Sequence, residues 1–397
     1  MSHRLIDRSH DLRALRSAGY HLEIRRDHLL IKDVPFVTSS GQVRRDGVLV
    51  SGLELEIVDG QQVTRTPQYH VAYWIGEHPC HADGSKIRSF ENPSPRTELA
   101  EGLTVDHTFS AKADYADYER KMLAYLGWIE GEAQKVDTEA SARTYPVYAA
   151  DEEDDDVFHY INWSMSRDKV VADNDKLRGH KVAIVGIGGT GAYVLDFVAK
   201  TQVEEIRLFD DDRFDSHNAF RAPGAWSLDE LSERKSKVET FAAVYGKLRR
   251  RGILAHKGFL TAENLELLRG VDFVFLCLDQ GKPKRAIVDW LIAEGLGFVD
   301  VGMGVIRTPN GLQGLVRLVS STVAKRDHID ARMSFADEDD DDNEYDTNIQ
   351  IAELNALNAA LAVIKWKRLM GFYRDAGKEF FSSYQISTGE IVNEDKL

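Results

Sequence analysis

Cysteine is scarce in this chain: only Cys80 and Cys277 occur in 397 residues. Two thiols exclude a disulfide framework and a four-thiolate zinc site, and such low usage fits a reducing compartment. Long hydrophobic runs are missing too. No apolar stretch approaches the ~18 residues that a membrane span requires, and the opening segment MSHRLIDRSHDLRALRSAGY lacks the hydrophobic core of a signal peptide. The expected location is therefore cytoplasmic, with no membrane partner. Positive charge is also in deficit: 50 Lys and Arg against 65 Asp and Glu leave a net charge of −15. A surface of that sign repels nucleic acid, so no nucleic-acid partner is expected. What the chain does have is apolar mass, 43% hydrophobic residues with 9% aromatics, enough for packed cores. Its length predicts two domains, or one large domain with an extension.

Composition changes at the six acids DEEDDD, residues 151 to 156. The segment has no helical apolar spacing and marks a boundary between an N-terminal domain, residues 1–150, and a larger domain, residues 157–397. A second run, DEDDDDNEYD from Asp337 to Asp346, is too charged to pack and is expected as a surface loop. Before the first boundary the pattern is mainly β. In LELEIVDG, Leu53, Leu55 and Ile57 alternate with Glu54 and Glu56, and Asp59-Gly60 supplies a turn before HVAYWIG. Residues 112–133 carry helical spacing, so this domain is expected to be α+β.

After residue 180 the pattern becomes that of βα units. HKVAIVG is a nearly continuous apolar strand, followed by GIGGTG and the helical stretch AYVLDFVAK; EIRLFD, VDFVFLCLD and GFVDVG read as further buried strands. Strands separated by helix-length segments predict an α/β fold with a mostly parallel sheet and helices on both faces. Pro309-Asn310-Gly311 should turn a hairpin between VIR and LQGLVRLV. Thr347 and Gln350 stand at capping-box spacing before a long helix, whose buried stripe is expected at Leu354, Leu357, Leu361 and Ile364 and whose end falls near Gly371.

Gly186, Gly188, Gly189 and Gly191 lie between a predicted strand and a predicted helix. Glycines there let the backbone approach a phosphate, and free amides at the helix N-terminus favour an anion. Asp210, 19 residues after Gly191, would also suit the ribose of NAD. The following segment, DDDRFDSHNAFR, decides against that reading, because a dinucleotide site has no need of Asn218 and Arg221 three residues apart. A triphosphate site does, since charge building on phosphoryl oxygens needs fixed donors.

The glycine loop, LFDDDRFDSHNAFR, Lys235 and Lys237, and FLCLDQ, in that order, resemble the ubiquitin-activating-enzyme superfamily, the ThiF/MoeB-type adenylyltransferases. The resemblance runs from about Asn162 to Gly371. That family's pattern D-x-D-x-x-x-x-x-N-x-x-R is met without a gap at Asp210, Asp212, Asn218 and Arg221. The resemblance implies a Rossmann-like adenylation domain that binds ATP and magnesium and adenylates the C-terminal carboxylate of a ubiquitin-like protein. It implies that Asp210 holds the ribose and that Asn218 and Arg221 contact phosphates. Lys237 is the expected phosphate-neutralising lysine, with Lys235 its neighbour in the nucleotide site. Asp279 would bind magnesium, and Arg167 would reach the partner subunit's phosphates in a homodimer. HNAFRAPGA and NIQIAELNALNAALAVIKWK are similar to bacterial ThiF-family proteins of ubiquitin-like conjugation operons, some linked to antiphage defence. In that setting the N-terminal domain would bind the ubiquitin-like protein or a conjugating partner.

Many relatives pass the acyl group to a cysteine on a segment that crosses the site after the last sheet strands. Residues 318–347 contain Ser320, Ser321, Thr322 and Ser334 and no cysteine, which excludes a thioester there. Cys277, within FVFLCLD, reads as a small buried core residue. Cys80 stands between His78 and His81, and a histidine lowers a neighbouring thiol's pKa. Three routes therefore follow adenylation: direct transfer to a cysteine of a ubiquitin-conjugating-enzyme-like partner, an oxyester on Ser334, Ser320 or Ser321, or a thioester on Cys80. The alternatives to the whole reading are adenylation of a small-molecule or peptide carboxylate, and a non-catalytic ATP-binding scaffold.

Overall fold

The computed structural model describes residues 2–150, 156–161, 171–278, 281–335 and 349–397. The chain divides into two units, Met1–Asp155 with Tyr160–Val170, and Asp156–His159 with Val171–Leu397. The acidic run at 151–155 and the segment 336–348 lie outside the described residues, and so do the boundary and loop readings placed on them.

The first unit is α+β. Helices α1 (Ser2–Arg8) and α2 (His10–Ser17) precede strands β1 (His21–Arg25), β2 (His28–Val37), β3 (Val43–Gly52), β4 (Leu55–Val58), β5 (Gln61–Thr64), β6 (Val71–Ile75), β7 (Glu91–Asn92), β8 (Thr97–Ala100), β9 (Leu103–Val105) and β10 (His107–Ser110), and helix α3 (Tyr118–Val136) follows. The main sheet runs β1-β2-β3-β6-β10-β7, and each of these pairings is antiparallel. Helix α3 starts at Asp117, whose side chain accepts a hydrogen bond from the Arg120 amide at 2.8 Å. It buries Tyr118, Met122, Tyr125 and Ile129, one face at helical spacing, against sheet residues such as Leu29, Leu49, Trp74 and Phe109. The Asp59-Gly60 turn leads into β5, not into β6 as the sequence reading expects. Both residues have positive φ, 50° and 75°, the geometry of a tight hairpin, so β4 and β5 pair with each other. Ile57 is left 75% exposed on that hairpin.

In the second unit, α4 (Val171–Asp175) is followed by β11 (Lys181–Val185), α5 (Gly189–Ala199), β12 (Glu205–Asp210), α6 (Ser216–Ala219), α7 (Leu228–Ser232), α8 (Lys237–Tyr245), β13 (Ile253–Lys257), β14 (Phe273–Leu276), α9 (Gly281–Ala293), β15 (Gly297–Thr308), β16 (Gly311–Ser321), α10 (Ile329–Arg332), α11 (Ala352–Leu369), β17 (Glu379–Gln385) and β18 (Ile391–Lys396). The sheet order is β13-β12-β11-β14-β15-β16-β17-β18. From β13 to β15 the strands are parallel, and from β15 onward they are antiparallel. GFVDVG and VIR form one strand, β15, which turns through Pro309 and Asn310 so that Thr308 pairs with Gly311.

Both faces of this sheet are covered, as the continuous apolar strands require. Val182 and Ile184 of β11 pack with α5, α8 and α11. Ala183 and Val185 point the other way, to α9 and Ile329. Helix α11 departs from its expected stripe. Leu354 is buried, but Ile364 is 39% exposed, and the buried face carries Asn355, Asn358, Ala359, Ala362 and Trp366. Small residues let α11 lie close to α5, and the two asparagines bond the Thr190 side chain of α5 and the backbone carbonyls of Arg221 and Gly302. Thr347 lies outside the described residues, and Ile351, not a capping threonine, precedes the helix. Among the described residues, no helix is long and apolar enough to cross a membrane.

Candidate nucleotide site

The sheet order reverses between β11 and β14: from β11 the chain goes one way to β12 and β13, and then returns to β14 and β15 on the other side. Such a switch point opens a crevice outside the carboxyl ends of the strands. Here it is lined by Gly186 and Gly188 after β11, Asp210 and Asp212 after β12, and Cys277 after β14, with Arg221 and Lys237 facing in. It encloses about 190 Å³ and opens to solvent.

The glycine loop is shaped by close approach. Gly186 has φ +87°, and a Cβ there would meet the Cys277 carbonyl oxygen at 2.7 Å. A Cβ on Gly191 would lie 1.9 Å from the Gly186 carbonyl oxygen, and one on Gly189 would lie 2.1 Å from Asn355 Nδ2. Gly188 differs, since its Cβ would enter open space. It caps α5, so this helix N-terminus faces the crevice with room for an anion.

Asp210 clamps this loop. Its Oδ2 accepts from the Ile187 amide at 2.7 Å, and its Oδ1 accepts from the Asp212 amide at 2.9 Å. Burial pushes its carboxyl above the usual carboxylate range, with Lys237 and the two amides acting against that rise. Lys237 donates to Asp212 Oδ2 at 2.5 Å and lies 3.5 Å from Asp210 Oδ1. The reason it faces inward is local. Ser236 and Glu239 form a capping box that makes Lys237 the first residue of α8, and the Lys237 amide donates to the Asp212 carbonyl at 2.9 Å. Lys235, two residues earlier, is exposed and paired with Glu233 at 2.5 Å; it does not line the crevice.

Asn218 and Arg221 follow on α6 and just beyond it. The Asp215 amide donates to Asn218 Oδ1 at 2.9 Å, which leaves Asn218 Nδ2 buried without a partner. Arg221 Nε is likewise buried and unpartnered. Unsatisfied buried donors are rare in folded proteins, and these two belong to the residues expected to meet phosphate. Asp279 and Arg167 lie outside the described residues. Among the described residues no cluster of three His, Cys, Asp or Glu side chains could hold a metal.

Cys277 is not simply a core residue: it is partly exposed at the crevice floor. Desolvation, and then Asp300, push its thiol far up, so it is held protonated. The other acceptor candidates separate by burial. Ser320 and Ser321 are not on a crossing segment; both are fully buried within β16, where Ser320 Oγ donates to the Phe380 carbonyl at 3.3 Å. Cys80 is 1% exposed and packs with Val37, Ala133 and Ala140. Burial raises its pKa, with Glu77 and Asp83 adding to the rise and Lys86 opposing it, the reverse of the lowering expected from its flanking histidines. Ser334 alone of these four is only partly buried.

Two features escape the sequence reading. Asn355 accepts from Thr190 Oγ1 at 2.9 Å and donates to the Arg221 carbonyl at 3.4 Å, so one side chain ties the glycine-loop helix to the arginine segment. Asp300, fully buried on β15, is flanked by Lys284 Nζ at 3.1 Å and Arg317 Nη2 at 2.9 Å. The signals were present: asparagines spaced by three in an otherwise apolar helix, and an acid inside GFVDVG. Gln350 also lines the crevice, in place of the capping role its spacing predicts.

Residues 10–163 match a domain of unknown function, DUF6791. No curated protein matches the chain. Solved structures similar to it include E. coli MccB with MccA-N7isoASN, at 17% identity over 57% of this chain and 67% of that one, with a TM-score of 0.47. E. coli MccB with ATP is 17% identical over 57% of this chain and 66% of that one, with a TM-score of 0.44. SeMet PaaA is 16% identical over 59% and 80%, with a TM-score of 0.45. The switch-point crevice, its glycine loop and the Asp210-to-Arg221 segment all fall within residues 165–386, which match the ThiF family, and the chain belongs to that family.

Proposed function

We propose that this protein adenylates the C-terminal carboxylate of a ubiquitin-like protein with ATP and then hands the acyl group to a ubiquitin-conjugating-enzyme-like partner. The observation that carries the reading is the pair of orphaned donors, Asn218 Nδ2 and Arg221 Nε, in the segment that borders the glycine loop and Lys237. In the reaction a carboxylate oxygen attacks the α-phosphorus, the bond to the bridging oxygen breaks, and pyrophosphate leaves. The nucleophile is already ionised, so no enzyme base is required. The protein's task is to position two anions and to meet the charge that develops. In this reading Asp210 orients the ribose while holding the loop, and the amides at the start of α5 receive a phosphate. Lys237, Asn218 and Arg221 face the phosphoryl oxygens. Asp279 would hold magnesium, whose chemistry when bound is to neutralise phosphate charge. Arg167 would act across a homodimer.

A protein substrate is favoured over a small molecule by what surrounds the arginine. Phe220, next to Arg221, is 86% exposed, and Phe259, on the crevice lining, is 49% exposed. Apolar rings standing in water beside a site serve a chain that comes to cover them. Ser334 remains the internal alternative, as an oxyester, because it is the accessible one of the serine candidates. The test is ATP–pyrophosphate exchange with the protein and a ubiquitin-like partner ending in glycine. Exchange should require that carboxylate, and Lys237→Met and Arg221→Ala should each lower kcat/KM by about 10²–10³-fold. Exchange that is indifferent to the partner, or unchanged in both variants, removes the proposal. Mass spectrometry of the same mixture distinguishes an adduct on Ser334 from transfer without one.

A further inference from the structure

Helix α3 carries a lysine on its buried face. Lys121 is 2% exposed, and its Nζ donates to Ser51 Oγ at 2.9 Å and to the Tyr69 carbonyl at 2.8 Å. Both acceptors are neutral. An ammonium has three donors, so one N–H is left without an acceptor, the Tyr118 ring lies 5.9 Å from Nζ, and no ion pair among the described residues includes this lysine. A buried cation without a counterion is costly. Desolvation accordingly lowers Lys121 to about 8, with Glu54 alone pulling the other way.

This amine borders a cavity of about 460 Å³ within the first unit, lined also by His28, Pro67, Tyr69, Tyr73 and Tyr118. That size falls in the range of small-ligand sites, about 300–1,000 Å³. His28 Nδ1 is buried and without a partner, and burial lowers its pKa, which keeps the ring neutral near pH 7. Of the acids nearby, Asp11 is occupied by Thr64 Oγ1 and the Tyr118 amide, while Asp27 and Glu54 also line the cavity without forming an ion pair with the lysine. One ammonium can balance a monoanion but not a phosphate dianion, whose second charge Asp27 and Glu54 would oppose.

We propose that this cavity binds a carboxylate, with Lys121 donating to its oxygens and the tyrosine rings packing on an apolar or aromatic body. The carboxylate is either that of a free small acid or the C-terminus of a peptide. Calorimetric titration of the full chain near neutral pH with 3-phenylpropionate and with N-acetyl-phenylalanylglycine, each against its uncharged amide, tests the proposal. The acid should bind more than about tenfold tighter than its amide, the scale of a charge-assisted hydrogen bond, and Lys121→Met should abolish the difference. The preferred acid identifies the source. Independently of any variant, binding to the wild-type chain at about pH 8.5 should take up a proton, because the ligand favours the ammonium form; buffers of different ionisation enthalpy read this directly. The proposal fails if acid and amide bind alike, if neither acid binds at millimolar concentration, or if the acid binds without proton uptake.

Discussion

Asp210 and Lys121 are both buried ionisable groups, yet their surroundings differ in kind. Asp210 receives two amide hydrogen bonds and has Lys237 beside it, so its charge is met within the protein. Lys121 has only neutral acceptors, and its pKa falls from 10.5 to about 8. The sign of the resulting pH dependence follows. Between about pH 8 and 10.5 the unfolded chain holds a proton that the folded chain has released, so this lysine's contribution to stability rises with pH over that window. Replacing Lys121 with Met removes the titration and the buried charge together. Urea unfolding of both proteins should show the variant more stable at pH 7, with the gap closing by up to about 3 kcal/mol as pH reaches 10.5. A gap that is flat across the window contradicts the burial of an unpaired ammonium.

The glycine loop shows how one element separates folding from binding. Gly191 approaches the Gly186 carbonyl so closely that a methyl group has nowhere to go, whereas Gly188 faces open crevice. Gly191→Ala is therefore expected to destabilise the chain by about 3 kcal/mol or more, seen as a lowered thermal midpoint. Gly188→Ala should leave that midpoint nearly unchanged while weakening pyrophosphate exchange, because in the proposed reaction its new methyl group takes up space that a phosphate would enter. Loss of stability in both variants, or in neither, contradicts this division. The same element explains a failure of pattern reading. Helix α11 looks amphipathic through its leucines, but the face that matters holds Asn355, which reaches Thr190 at 2.9 Å and the Arg221 carbonyl at 3.4 Å. An apolar stripe predicts burial against a sheet; it does not predict which side must accommodate a neighbouring helix and loop.

Across the chain as a whole, the two units have separate cores. Leu12, Leu29, Trp74, Phe109 and Tyr125 belong to one, and Ile184, Val194, Phe241 and Trp366 belong to another. Tyr148 closes the first unit on itself, its hydroxyl accepting from the Leu22 amide at 2.8 Å and donating to the Tyr20 carbonyl at 3.0 Å. A chain of residues 1–161 alone should thus unfold in a single cooperative transition, measured by circular dichroism, and should keep the Lys121 cavity. A broad, non-cooperative melt contradicts an independent core.

Residue order alone was enough to specify the βα periodicity, the position of the glycine loop and the succession of Asp210, Asp212, Asn218, Arg221 and Lys237. Strand burial, tight turns and phosphate recognition each demand particular residue types at short spacing. Packing was needed to settle which lysine turns inward, since Lys235 and Lys237 are chemically alike and the capping box at Ser236, with an antiparallel bridge between Ser236 and Arg213, orients α8. Packing also set the burial of Cys80, Ser320 and Ser321, the pairing of Asp300 with Lys284 and Arg317, and the neutral hydrogen-bond acceptors of the Lys121 ammonium. Those properties depend on residues distant along the chain, and a side chain's environment is established only when the elements around it have come together.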